Sequence, residues 1–188
     1  AVSTTTYTYN ATTKLPTSTL FNDDVEVNQI NTTFVYDTYK RLSSSTEVTP
    51  YATFIKSFTY DAFGRVLNEA SNATANGKSS NKTVTHSYKN GQSWQILDTS
   101  NNQVIWQTNT VNARGQLTTA TLGNGIAITN TYDTNGYINI AQHALGTVNV
   151  MKHETAFDAK RSNLLSRNNS LFGQKETFGY DSQDRLTT

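Results

Sequence analysis

The sequence predicts an all-β protein built as an array of β-hairpins, and three observations lead to this prediction. A tyrosine–aspartate pair recurs along the chain, and the stretches before it are rich in Thr, Val, Phe and Tyr. No window shows a convincing 3.6-residue apolar period of the kind that marks a helix. Units that recur at a regular spacing, and that cannot bury an apolar face alone, must stack on one another. We therefore expect the hairpins to lie side by side.

The repeat has four clear copies and four weaker ones. The clear copies are 34–42, 58–66, 130–138 and 178–186, and the weaker ones are anchored at residues 9, 88, 111 and 157. The anchors are about 24 residues apart on average, with variable steps between them. Variable spacing around a constant motif is typical of fixed hairpins joined by loops of changing length.

The copy at 58–66 shows why these residue types recur. Asp61 stands at the first position of a predicted type I turn, where its carboxylate can accept backbone N–H groups, and Gly64 stands at the fourth position. The guanidinium of Arg65 can return to the Asp61 carboxylate and fix the angle of the hairpin. The ring of Tyr60 supplies area to bury and keeps a hydroxyl for a partner.

The same argument assigns a structural role to the corresponding residues of the other copies. These residues are Tyr36, Tyr60, Tyr132, Tyr180, Asp37, Asp61, Asp133, Asp181, Gly64, Gly115, Gly136, Arg41, Arg65 and Arg185. The aspartates could instead be calcium ligands or catalytic acids, but their fixed place before a turn favours the structural role. The acidic cluster Asp23-Asp24-Val25-Glu26 is interpreted as a solvated face rather than a metal site. We expect no metal and no cofactor.

Further turn signals punctuate the chain. Leu122–Gly125, Asn90-Gly91 and Asn76-Gly77 each predict a turn between strand-like runs. The stretch 71–81, rich in Ser, Asn, Ala and Gly, is predicted to be a flexible loop.

Composition limits the class of protein. The chain has 188 residues, 15% of them charged, a net charge of +1, 32 Thr, 21 Asn and no Cys. Dispersed basic residues do not form a nucleic-acid groove, and no apolar run is long enough for a membrane span. Without Cys there is no disulfide and no thiolate metal site. We expect residues 1–188 to be a single repeat region, because no domain boundary is visible. The chain begins with Ala rather than Met, so we expect it to be an excised segment of a longer protein or a processed form.

Two tryptophans leave an alternative open. An exposed Trp94 or Trp106 could stack on a sugar ring, yet aliphatic neighbours such as Ile96 and Val104 favour a role in joining sheet layers. No nucleophile elbow, phosphate loop or dinucleotide motif occurs, so we expect no enzyme. A pair of carboxylates acting on polysaccharide is the third hypothesis, although the sequence favours no particular pair.

The motif Tyr-Asp-x-x-Gly-Arg-Leu, with its strand-like flanks, resembles the YD repeat of the rearrangement-hotspot (RHS) proteins. The stretch 103–125 is similar to bacterial members related to the B and C subunits of Tc-type insecticidal toxins. The resemblance implies a curved, spiralling sheet that forms part of a hollow shell around a toxic C-terminal effector. It also implies a secreted or cell-surface protein. The family's self-cleaving core carries an Asp-Pro-x-Gly motif. This sequence has no Pro after Pro50 and lacks that motif, so autoproteolysis is not assigned.

The expected function is therefore structural: this segment would form the wall of a shell that encapsulates a toxin. Its partners would be the remainder of the parent RHS protein and the toxin passenger. The alternative is an extracellular module that binds carbohydrate or a partner protein. A segment of a larger sheet has open strand edges, so self-association through those edges is also expected.

Overall fold

A computed structural model describes residues 3–23 and 29–187 of the chain. Within these ranges every regular element is a β-strand, which confirms the all-β prediction. Asp24 and Glu26, which complete the acidic cluster predicted to be a solvated face, lie outside the described residues.

The described ranges contain fifteen strands. They are β1 (Thr4–Tyr9), β2 (Pro16–Asn22), β3 (Ile30–Tyr36), β4 (Leu42–Val48), β5 (Thr53–Tyr60), β6 (Val66–Ala75), β7 (Lys78–Lys89), β8 (Gln92–Asp98), β9 (Val104–Val111), β10 (Leu117–Leu122), β11 (Ala127–Tyr132), β12 (Ile138–Leu145), β13 (Val148–Phe157), β14 (Leu164–Asn169) and β15 (Gln174–Thr177).

The order of hydrogen-bonded neighbours is the order of the chain, from β1 to β15, so each connection is a hairpin. The recorded pairings between neighbours are antiparallel. In the described ranges β1 and β15 each have a neighbour on one side only, so the sheet is open. The prediction of an array of hairpins is confirmed.

The chain divides into two compact units. The first comprises residues 1–87 with 97–102, and the second comprises residues 88–96 with 103–188. The strands β7 and β8 contribute residues to both. The expectation of a single repeat region over 1–188 stays a prediction.

Few side chains are enclosed. Among the described residues Ala120 is the only buried apolar residue, with 1% of its surface exposed, and Asp98 is the only buried polar one. Ala120 lies opposite Thr108 on β9 and Ile128 on β11, so residues of both neighbouring strands flank its small side chain. With so little core, the stability of each unit must come mainly from contacts between neighbouring strands.

The prediction of a flexible loop over 71–81 is wrong. β6 and β7 pair without interruption from Asn68 opposite Thr85 to Ala75 opposite Lys78. The turn is limited to Asn76 and Gly77, whose φ angles of 51° and 72° suit the tight hairpin turns that match strand twist. Composition suggested a loop, but Ser, Asn and Thr also pair well across strands, and the Asn-Gly turn sets their register.

Candidate functional site: the Tyr-Asp hairpins and their joints

The turn after Tyr60 shows how the motif folds. The Gly64 N–H donates to the Asp61 carbonyl over 3.0 Å, and the Asp61 N–H donates to the Arg65 carbonyl over 2.8 Å. The Asp61 Oδ1 atom accepts the N–H groups of Phe63 and Arg65, each at 2.9 Å. One carboxylate oxygen thus satisfies two backbone donors that the turn would otherwise leave unpaired.

Four more turns repeat this pattern atom for atom. Each has an Asp or Asn at the first position, whose N–H donates to the carbonyl four residues on and whose Oδ1 accepts the N–H groups two and four residues on. These first-position residues are Asp37, Asn112, Asp133 and Asp181. The structure therefore places all four predicted turn aspartates, and Asn112 of a weaker copy, in one shared geometry.

Arginine closes three of these turns. The Nε atom donates over 2.7 Å to the Oδ2 atom of the turn aspartate in each of the pairs Arg41–Asp37, Arg65–Asp61 and Arg185–Asp181. In the first two pairs Nη2 also lies 2.7 Å from the same oxygen. The guanidinium contact expected from the sequence is present. The Asn112 turn has a neutral equivalent, because the Asn112 side-chain amide donates to the Gln116 Oε1 atom over 2.9 Å.

These contacts lower the pKa of three turn carboxyls, those of Asp37, Asp61 and Asp181. At Asp37 and Asp61 partial burial raises the pKa, but hydrogen bonds from the backbone and guanidinium of the closing arginine outweigh it and hold the pKa below its ordinary value of 3.8. At Asp181 the backbone and then the side chain of Arg185 lower the pKa of the carboxyl. A carboxylate fixed by N–H donors and a guanidinium acts as a structural clamp.

The fourth turn position requires a left-handed backbone. Gly64, Gly115 and Gly136 have φ angles of 81°, 77° and 92° there. In two copies a non-glycine residue takes the position, namely Lys40 with φ 65° and Asp184 with φ 60°. Side chains with a Cβ are strained in this region, so these two turns store backbone energy that the glycine copies avoid.

The weaker copies at residues 9 and 157 also form hairpins, through a turn that is one residue longer. The Asp158 N–H donates to the Asn163 carbonyl over 2.8 Å, and the Asn10 N–H donates to the Leu15 carbonyl over 2.9 Å. The left-handed residue moves one place on, to Ser162 in one turn and Lys14 in the other. The weaker copies at residues 9 and 157 thus keep the hairpin by using a longer turn of the same kind.

A β-bulge lies beside the turns of Asp37, Asp61 and Asp133. Tyr60 pairs with Val66, whereas Thr59 pairs with Asn68, so the return strand carries one additional residue at Leu67. The same shift occurs where Tyr36 pairs with Leu42 and where Tyr132 pairs with Ile138. A bulge bends the strand and changes where the backbone groups around it point.

The hydroxyls of three motif tyrosines each join their own hairpin to the one before it. Each donates to the main-chain oxygen of the first residue of the preceding return strand, and the bonds are Tyr60 to Leu42 at 2.6 Å, Tyr132 to Leu117 at 2.7 Å and Tyr180 to Leu164 at 3.0 Å. We call this contact the hairpin joint. It gives the recurring tyrosine a partner that lies outside its own motif.

The Phe157 hairpin, which lacks the tyrosine, keeps the contact in another form. Phe157 has no hydroxyl, and the Thr155 hydroxyl, two residues earlier on β13, donates to the main-chain oxygen of Ile138 instead. Ile138 is the first residue of the preceding return strand, as Leu117 is for the Tyr132 joint. The Ile138 acceptor is therefore satisfied although the Phe157 copy of the motif is degenerate.

Neighbouring turns also touch one another directly. The Arg41 guanidinium lies 4.2 Å from the centre of the Tyr60 ring, so it clamps its own turn and stacks on the next tyrosine. In the second unit the Gln116 side-chain amide donates to the Gly136 carbonyl over 2.8 Å, and the Arg114 guanidinium donates to Thr134 over 2.9 Å. These contacts fix the spacing between successive hairpins.

The two tryptophans lie in the second unit, on one face of adjacent strands. Gln95 and Gln107 are hydrogen-bonded to each other at 2.7 Å, so Trp94 and Trp106, each next to one of them, point to the opposite face. Trp106 on β9 is half-buried and lies opposite Leu122 on β10. Trp94 has 37% of its surface exposed.

Trp94 borders a groove of about 330 Å³ between β8 and β9. The other lining side chains are mostly neutral hydrogen-bonding groups, among them Asn90, Ser93, Thr108 and Asn109. One cation is present, because the Lys89 ammonium lies 5.7 Å from the centre of the Trp94 ring.

A second clamp, which the sequence reasoning missed, lies at the end of β8. Asp98 is buried, with Oδ1 accepting the N–H of Ser100 at 3.0 Å and its hydroxyl at 2.7 Å, while Lys82 donates to Oδ2. The hydrogen bonds from Lys82 and then Ser100 lower the pKa of Asp98 to about 2. The signal was present, since Asp followed by Thr, Ser and Asn after a strand is a turn signature.

Within residues 3–23 and 29–187 no group of three or more His, Cys, Asp or Glu side chains is arranged to hold a metal ion. None of the described residues belongs to a helix that is long and apolar enough to cross a bilayer.

No family model matches the chain, and no curated protein sequence matches it. Among solved structures, the chain is similar to the crystal structure of TcdB2-TccC3 without its hypervariable C-terminal region. The sequences are 16% identical, the TM-score is 0.43, and the match covers 97% of this chain. The chain spans 12% of the length of that protein.

Proposed function

We propose that this chain is a structural segment of an RHS-type shell, in which rows of Tyr-Asp hairpins form a wall around a toxic passenger. The proposal treats the chain as non-catalytic and as part of a secreted or cell-surface protein. Its partners would be the rest of the parent protein and the passenger. The resemblance of the repeat to the YD motif supports the family, and the geometry of the hairpins supports the mechanical role.

One observation carries the mechanical part of the proposal. The hairpin joint connects three motif tyrosines, Tyr60, Tyr132 and Tyr180, to the backbone of the previous hairpin. A joint that uses a backbone acceptor is indifferent to the side chain at that site, so hairpins of varied sequence can be added side by side. Such tiling builds extended surface rather than a core, which agrees with the near absence of buried side chains among the described residues.

The test is protease protection in the full-length protein encoded by the gene. We would compare the wild type with the double variant Tyr60→Phe/Tyr132→Phe, which removes two joint hydroxyls and keeps both rings. If the wall encloses a passenger, the C-terminal region should resist protease in the wild type and become several-fold more sensitive in the variant.

The matched control is Tyr39→Phe/Tyr51→Phe. These tyrosines are 78% and 75% exposed, so the control removes two hydroxyls that belong to no joint. A C-terminal region that is cleaved as fast in the wild type as in the joint variant would rule out the shell function. So would equal sensitivity of the joint variant and the control.

A second candidate function is carbohydrate binding at the Trp94 groove. The exposed indole offers a flat apolar surface, and the neutral polar groups of Asn90, Ser93 and Asn109 could hydrogen-bond sugar hydroxyls. The glycan class favoured by this lining is a neutral one, since Lys89 is the one charged residue beside the ring.

Titration calorimetry with neutral oligosaccharides would test this second function. Trp94→Ala should abolish any heat of binding, whereas Trp106→Phe, at the half-buried tryptophan, should leave it unchanged. Binding that persists in Trp94→Ala would place the sugar elsewhere, and the absence of heat for every oligosaccharide would remove the candidate.

A further inference from the structure

The two faces of the sheet in the first unit differ in charge. Residues directly opposite each other on neighbouring strands share a face, and so do residues two apart on one strand. By this register, the charged residues of β1 to β6, and of β7 as far as Ser87, all lie on one face, which we call the charged face. These residues are Glu47, Lys56, Glu69, Lys78 and Lys82.

The charged face carries ions of both signs together with aromatic rings. Lys56 and Lys82 lie opposite Ser71 from its two sides, so these three side chains point the same way. The Lys56 ammonium donates to the Glu69 carboxylate over 2.9 Å. Phe58 lies opposite Glu69 and shares the face with the ions. Interspersed charges of both signs are typical of a surface that meets bulk water.

The opposite face, which we call the neutral face, carries Thr, Ser and Asn with a few aliphatic residues. Its polar residues include Thr33, Thr46, Ser57, Asn72 and Thr83. Across the same described strands, no charged side chain lies on this face. The surface of a soluble domain is usually about 25–35% charged, so a face without charge over seven strands is unusual for contact with bulk water.

Polar groups of the neutral face hydrogen-bond to one another. The Asn68 side-chain amide donates to the Thr59 hydroxyl over 3.0 Å, and the Thr85 hydroxyl donates to the Asn68 Oδ1 atom over 2.9 Å. The Thr85 and Thr99 hydroxyls lie 2.9 Å apart, which continues the row within the first unit. Groups that satisfy one another gain little from a new partner, and without charge the face exerts no long-range attraction. Such a face has little affinity for a polypeptide of either charge.

We propose that the neutral face is turned towards the toxic passenger and that the charged face meets the surrounding medium. The inference rests on the proposed shell function and deepens it, because it assigns the surface that borders the passenger. A wall with charge of one sign would repel a passenger of like charge and hold one of opposite charge, whereas a neutral wall does neither. The charges on the other face keep the protein soluble.

Two cysteine variants of the full-length protein test which face is enclosed. Thr33→Cys lies on the neutral face of β3 and Glu47→Cys on the charged face of β4, and both residues are exposed. This chain has no Cys of its own, and the unsubstituted full-length protein measures labelling elsewhere in the parent. A maleimide on a polymer too large to enter the shell should modify Glu47→Cys several-fold faster than Thr33→Cys, with both rates divided by those of the urea-unfolded protein.

Photocrosslinking identifies what covers the neutral face. A benzophenone maleimide attached at Thr33→Cys should link to the C-terminal region of the full-length protein, and the same reagent at Glu47→Cys should not. Peptide mass spectrometry would locate the linked residues. Three results would overturn the proposal: equal labelling of the two variants by the polymer, faster labelling of Thr33→Cys, or crosslinks from Thr33→Cys that never reach the C-terminal region.

Protease protection separates a failure of this inference from a failure of the shell function. If the C-terminal region of the wild type resists protease while the labelling pattern is reversed, the shell function stands and the assignment of the faces is wrong. If the C-terminal region is not protected in the wild type, the shell function fails and this inference fails with it.

Discussion

The Tyr60 hydroxyl donates a 2.6 Å hydrogen bond to the main-chain oxygen of Leu42, which belongs to the preceding hairpin. The tyrosine of one motif copy thus completes the backbone hydrogen bonding of another. Because the acceptor is a backbone atom beside a bulge, the contact depends on the shape of the preceding hairpin and not on its side chains. The motif therefore determines a contact between neighbouring hairpins as well as the turn of its own hairpin.

Replacing Tyr60 with Phe should lower stability by about 1 kcal/mol, because the half-buried Leu42 carbonyl loses its hydroxyl donor while the ring remains. Urea unfolding followed by circular dichroism would measure the change. Tyr51→Phe serves as the control, since Tyr51 is 75% exposed, and should change stability by less than about 0.5 kcal/mol. Equal effects of the two variants would mean that the joint contributes nothing to stability.

The substitution Tyr132→Phe should lower the free energy of unfolding by less than Tyr60→Phe does. The Leu117 carbonyl accepts the Tyr132 hydroxyl at 2.7 Å and also the Asn130 side-chain amide at 3.3 Å, so a second donor remains after the substitution. The double variant Asn130→Ala/Tyr132→Phe removes both donors. Its loss of unfolding free energy should exceed the sum of the losses in the two single variants by about 0.5 kcal/mol or more. Strict additivity in urea unfolding would show that the amide does not compensate.

The turn could be predicted from the sequence and the joint could not. The Asp61 carboxylate reaches N–H groups two and four residues away, so residue types within one short segment determine the contacts. The acceptor of the Tyr60 hydroxyl is a carbonyl eighteen residues away, and every residue has a carbonyl. Only the strand register and the bulge select Leu42, and neither has a clear sequence signal.

The same distinction explains the error at 71–81. Small polar residues are common in loops and in exposed strands alike, so composition cannot separate the two. The Asn76-Gly77 turn, which was recognised, sets the register in which these residues pair. Pairing with β5 on the other side of β6 then extends the strand beyond what local propensity suggests.

Lys40→Gly should stabilise the protein by roughly 0.5–1 kcal/mol. Lys40 has φ 65° at the turn position where Gly64 has φ 81°, and relief of left-handed strain should exceed the added entropy of glycine in the unfolded chain. Gly64→Ala is the reciprocal variant and should destabilise by about 1 kcal/mol. A Cβ on Gly64 would meet the Arg41 guanidinium at an ordinary 3.5 Å, so strain and not a clash causes the loss. Urea midpoints that move in the opposite directions would contradict this reading.

Acid should destabilise the fold only at low pH. Asp98 has a pKa of about 2 instead of 3.8, owing first to the hydrogen bond from Lys82, and Glu154 has a pKa of about 2 instead of 4.5, owing first to the one from Lys152. Because the folded values are the lower ones, the unfolded chain takes up protons first as the pH falls. Urea midpoints should therefore be level from pH 7 to about pH 5 and then drop towards pH 2.

The variant Asp98→Asn would show how much of the stability lost in acid is due to protonation of Asp98. The variant should be less stable than the wild type at pH 7, because the Lys82 ammonium loses its charged acceptor at Oδ2. Its midpoints should fall less steeply below about pH 4, because it has no carboxyl to protonate at that site. Between pH 4 and pH 2 the two curves should converge. Parallel curves over that range, or a wild-type loss that begins near pH 6, would show that other groups control the acid unfolding.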